Sequence, residues 1–112
     1  MNKSPVEYLS DLVSAQAAGE EAVQSVIATS MEETGCVVEF FDYFPVHVPV
    51  KGEFSIDDDQ DGLKRRALVA TAKGDPNLPS LLIFAHPDCE PFSDIEKWAS
   101  DPFSATIKKE KI

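Results

Sequence analysis

The sequence is short of several things, and each shortage excludes a class of protein. Two cysteines, Cys36 and Cys89, in 112 residues are too few for a disulfide framework. Reduced thiols are expected, although one bridge between the two stays open on sequence alone. No apolar run approaches the length needed to span a bilayer. The opening Met1-Asn2-Lys3-Ser4-Pro5 leads into a segment carrying Glu7 and Asp11, not into the apolar stretch of a signal peptide. A soluble cytoplasmic protein is expected. Basic residues are also scarce, at ten against twenty acidic ones, for a formal net charge of −10. That balance repels phosphate backbones and anionic lipid surfaces, so neither nucleic acid nor membrane is expected as a partner. No repeat or low-complexity tract is present.

What is present reads as one α/β domain, residues 1–112, with helices first and strands after. A chain this long is expected to bury roughly two-thirds of its unfolded surface. Ser4-Pro5-Val6-Glu7 has the form of a capping box with proline at the first helical position, where a missing N–H costs nothing. Val6, Leu9, Leu12 and Val13 continue at helical spacing, and Gly19 provides a break. Glu20 and Glu21 suit the start of a second helix with Val23, Val26, Ile27 and Met31 as its apolar stripe. Gly35 sits where a left-handed cap is wanted. From Cys36, the run Cys-Val-Val-Glu-Phe-Phe predicts a strand. Pro45-Val46-His47-Val48-Pro49 reads as an extended edge or crossing segment, because neither proline can donate to a ladder. Phe54-Ser55-Ile56 and Ala67 to Ala72 look like further strands, and Gly74 to Pro79 is a loop by composition. Leu81-Leu82-Ile83-Phe84-Ala85 is a continuous apolar run, predicted as a central strand covered on both faces.

The chemistry is concentrated where that run ends, at Ala85-His86-Pro87-Asp88. Residues two apart on an extended backbone point to the same side, so the His86 imidazole and the Asp88 carboxylate can meet. Pro87 restrains both its own φ and the conformation of His86. Such a pair is what a metal-binding histidine requires: one ring nitrogen for the cation, the other donating to a carboxylate that fixes the tautomer. The plainer reading is a hydrogen-bonded structural histidine. His47, between two prolines, reads as an edge or packing residue instead of a ligand. Cys89 reads as a small buried or half-buried thiol, and Trp98, Phe92 and Phe103 as packing for the segment that crosses the sheet. Glu90 is best taken as solvated. Asp57-Asp58-Asp59-Gln60-Asp61-Gly62 resembles a calcium loop in spacing, but Leu68 stands where the bidentate glutamate belongs, so a solvated acidic loop is expected.

The order Leu81 to Pro91, then Trp98-Ala99-Ser100-Asp101-Pro102-Phe103, then Ile107, resembles one family. It is that of aminoacylase, acetylornithine deacetylase, succinyl-diaminopimelate desuccinylase and glutamate carboxypeptidase, the dinuclear zinc peptidases. The resemblance is strongest over Leu81–Ile107 and implies two helices followed by a mixed sheet, the first part of a catalytic domain with helices packed on the sheet. It implies that His86 ligates zinc and that Asp88, counted with the catalytic residues, orients it. Two zinc ions per complete site are implied, with cobalt or manganese as substitutes. The implied substrates are N-acyl amino acids or small peptides, and the longer protein is implied to form a homodimer. The bridging aspartate, the Glu-Glu pair and the later ligands have no counterpart in these residues, so the chain is expected to be inactive alone, as the amino-terminal portion of a larger domain. The competing reading is a non-catalytic interaction or regulatory module whose His-Asp pair is structural.

Overall fold

The computed structural model describes residues 3–49, 62–89, 93–109 and 111. Its first helix, α1, spans Pro5–Ala15 and ends in a 3-10 turn at Gln16–Ala18. The expected capping box is formed in full. The Ser4 hydroxyl accepts from the Glu7 backbone N–H at 3.3 Å, and the Glu7 carboxylate accepts from the Ser4 N–H at 2.7 Å. These bonds satisfy two of the amides that a helix start leaves without partners. They also favour the charged carboxylate and hold the Glu7 pKa below its ordinary value of 4.5, the bond from the Ser4 backbone being the larger cause. A depressed folded pKa makes this contribution fully present above the ordinary value and removes it as pH falls through the folded one. Ser4→Ala is therefore expected to destabilise α1 by about 1 kcal/mol. Far-UV circular dichroism during denaturation would register the loss, and the part of the box that the Ser4 backbone N–H makes to Glu7 should persist in the variant until acid protonates the carboxylate.

Helix α2 covers Glu20–Glu33. Gly19 separates it from α1 at φ 93°, a conformation that costs other residues strain. At its far end Gly35 adopts φ 88°, and the chain closes a Schellman motif. There the Cys36 N–H donates to the Met31 carbonyl at 3.0 Å and the Gly35 N–H to the Glu32 carbonyl at 2.9 Å. The Met31 and Glu32 carbonyls are thereby satisfied as the helix gives way to strand.

Strand β1, Val37–Tyr43, pairs antiparallel with β2, Arg65–Thr71, in a register that sets Phe40 opposite Leu68 and Asp42 opposite Arg66. The first of the predicted strands and the one after the acidic loop are thus found where expected. Among the described residues the sheet has two strands and is antiparallel, which replaces the mixed sheet expected from the resemblance. Pro45–His47 forms a 3-10 turn in place of an extended segment. The strand predicted at Phe54-Ser55-Ile56, the acidic loop at 57–61, Glu90 and Phe92 lie outside the described residues.

Helix α2 is fastened to the hairpin mainly by polar contacts. Gln24, 3% exposed, donates to the Arg66 carbonyl at 2.7 Å and accepts from Arg66 Nε at 2.8 Å. The Arg66 guanidinium continues to the Glu21 carbonyl at 3.0 Å and lies over the Phe40 ring at 4.4 Å. A buried amide is stabilising only when both its ends are partnered, and here both are. The apolar core beside it is small: among the described residues, Val23 and Ala28 are the buried hydrophobic side chains.

The small core leaves the longest apolar run uncovered. Leu81–Ala85 forms no strand, and Leu81, Leu82, Ile83 and Phe84 are 81–90% exposed. A continuous apolar run becomes a central strand only where a neighbouring strand pairs with it and layers cover both faces. In the described residues the layer formed by α2 is already committed to β1 and β2.

Candidate functional site

His86 follows the exposed run directly, in a stretch without regular secondary structure, and precedes Pro87. Its Nδ1 lies 3.1 Å from Asp88 Oδ1 and 3.3 Å from the Asp88 carbonyl oxygen. Carboxylate and carbonyl oxygens only accept, so the contact is a hydrogen bond in the tautomer that carries the proton on Nδ1, which leaves the Nε2 lone pair for a ligand. The His86 side chain is 86% exposed. Two sequence-predicted site residues are thus brought together, with the free nitrogen of the ring available to a ligand.

The segment carrying them is held by residues far away in the chain. Gln16, in the 3-10 turn after α1, donates from Nε2 to the Pro87 carbonyl at 2.7 Å and accepts from the Cys89 thiol at 3.4 Å. Arg65, at the start of β2, lies 4.0 Å from Asp88 Oδ2 and 2.6 Å from Glu20 Oε2 at the start of α2. Turn, helix and strand therefore meet at one short loop. Beside it, Leu12, Val23, Ile27, Ala85, His86 and Pro87 line an open, mostly apolar hollow of about 260 Å³. His86 stands at its edge. A larger hollow of about 670 Å³, lined by Tyr8, Thr29, Glu33 and the Lys3–Asp11 ion pair among others, contains none of these residues.

Neither Gln16 nor Arg65 was expected at the site. The signals were slight: a lone amide among alanines just before Gly19, and membership of the only arginine pair in the sequence. Cys89 departs from expectation, being exposed with its thiol donating to Gln16, where a buried or half-buried group was foreseen. Both thiols are free. His47 is exposed and stands tilted against Phe44, with ring centroids 5.6 Å apart. Trp98 is half exposed and Phe103 partly buried, in a segment whose regular structure is one 3-10 turn, Ile95–Lys97.

A catalytic zinc takes three protein ligands and leaves one position open. The described residues contain no group of three His, Cys, Asp or Glu side chains that could hold a metal ion. His86 with Asp88 fits one corner of such a centre, and the set as a whole does not complete it. No helix among the described residues is long and apolar enough to cross a membrane. No protein family, curated protein or solved structure matches this chain in comparison.

Proposed function

We propose that this chain contributes the first metal ligand of a zinc-dependent amidohydrolase acting on N-acyl amino acids or small peptides. His86 would hold one of two zinc ions through Nε2, and Asp88 would fix the ring from behind. The observation that carries the reading is the Nδ1–Asp88 contact at 3.1 Å on an imidazole that is otherwise open to solvent. A histidine kept only for packing has no need of that exposure. The resemblance over Leu81–Ile107 supports the same assignment and supplies the substrate class. Zinc, when bound, polarises a carbonyl and lowers the pKa of bound water. The residues described here do not complete that centre, so no hydrolytic step is assigned to them. The other ligands and the general base are to be sought outside the described residues.

Equilibrium zinc titration tests the ligand count. The 112-residue chain is expected to bind zinc weakly, without a stoichiometric plateau at micromolar protein, while a longer chain with the remaining ligands binds tightly. Tight stoichiometric binding by the short chain would contradict the assignment, since one imidazole does not make a structural or catalytic zinc site.

A further inference from the structure

The loop that carries His86 and Asp88 has no regular structure to stiffen it, yet its side chains are aimed. We propose that Gln16 is a positioning residue for the His86–Asp88 pair and that Arg65 assists it. The inference rests on reading that pair as the site. It concerns the ring's tautomer and orientation, which can be measured without metal.

The geometry points to Gln16 because its carboxamide straddles Asp88. Its N–H reaches the Pro87 carbonyl at 2.7 Å, and its oxygen receives the Cys89 S–H at 3.4 Å. The residues on either side of Asp88 are thereby tied to one planar group, which sets the direction in which the Asp88 side chain leaves the backbone. That direction turns Oδ1 toward His86 Nδ1. A carboxamide suits this position because it has a donor at one end and an acceptor at the other. Glutamate would keep the acceptor and lose the donor, and would set two acceptors against each other at Pro87. Arg65 acts on the other carboxylate oxygen. Its guanidinium lies 4.0 Å from Asp88 Oδ2 and is itself held by Glu20 at 2.6 Å, so it draws one oxygen toward β2 and leaves the other for the imidazole. Gln16 lies at the end of α1, while Glu20 and Arg65 open α2 and β2. The site is thus aimed by the framework and not by its own loop.

The test is the tautomer of His86, read from the ¹⁵N shifts of its ring nitrogens in the 112-residue chain, without metal, at a fixed pH where the ring is neutral. Free imidazole side chains favour the proton on Nε2. A hydrogen bond to a carboxylate should shift the ratio toward Nδ1–H by about tenfold. Wild type is expected to show that shift. Gln16→Met and Gln16→Glu are expected to lose most of it while α1 and α2 keep their far-UV signal. Arg65→Lys, which retains the charge, should keep more of the shift than Arg65→Met. A folded Gln16→Met chain with an unchanged tautomer would overturn the proposal. If the variants fail to fold, the wild type decides alone. The Gln16 side-chain amide should exchange slowly and show nuclear Overhauser contacts to Pro87 and Cys89, and free-glutamine exchange there would overturn the proposal equally. Loss of zinc-dependent activity plays no part in this measurement, so the positioning role and the hydrolase reading fail separately.

Discussion

Under the hydrolase proposal, alanine in place of His86 is expected to reduce zinc-dependent amide hydrolysis by the longer protein below detection while leaving the fold intact. Two magnitudes support this. Loss of an outer partner of a metal ligand typically costs 10–100-fold in metal affinity or activity, so Asp88→Ala sets a lower scale of about that size. Loss of the ligand itself should exceed it, because the coordinating nitrogen is removed and not merely left unoriented. On the stability side, the His86 ring is 86% exposed and its hydrogen bonds run to Asp88 alone. An exposed substitution of this kind should change unfolding free energy by no more than about 0.5 kcal/mol. Activity and zinc content measured beside a denaturation curve separate the two effects. Turnover retained by a folded His86→Ala enzyme would instead favour an interaction or regulatory module in which the His-Asp pair is merely structural. A graded series, with His86→Ala far below Asp88→Ala, is the pattern that ligation demands.

The 112-residue chain is expected to self-associate through Leu81–Phe84, and Ile83→Lys to weaken that association by roughly tenfold or more. Four consecutive large apolar side chains 81–90% exposed make a template for strand pairing. Burying one isoleucine contributes about 1.5–3 kcal/mol, which corresponds to at least that factor. Lysine is the informative replacement. The net charge of −10 already repels copies of the chain from one another, and lysine lowers that repulsion. Any loss of association must therefore come from the lost apolar contact. Sedimentation velocity over a range of concentrations provides the measurement. If wild type is monomeric throughout and Ile83→Lys behaves identically, some other surface covers the run.

What could be read from the sequence was local. The capping box at Ser4 and Glu7, the break at Gly19 and the cap at Gly35 involve hydrogen bonds between residues a few positions apart, so neighbouring letters determine them. The His86–Asp88 contact belongs to the same class, being two residues wide with a proline between. Strand composition also placed β1 and β2 within a residue or two at their ends. The misreadings concern what the chain meets at a distance. Whether Leu81–Ala85 is covered depends on a neighbouring strand, and nothing in five apolar letters encodes its presence. Gln16 gave no warning because its partners lie at Pro87 and Cys89, and a glutamine at a helix end is ordinarily solvated. Gln24 was passed over for a related reason: its burial follows from Arg66 reaching across from the hairpin.

The bond from Gln16 to Pro87 joins points 71 residues apart, whereas those binding α2 to the hairpin span 42 and 45. Closing a larger loop costs more chain entropy, though only slowly more with length, and distant pairings form late. If Gln16 aims the pair as proposed, the imidazole–carboxylate contact reaches its final orientation only once this widest loop has closed.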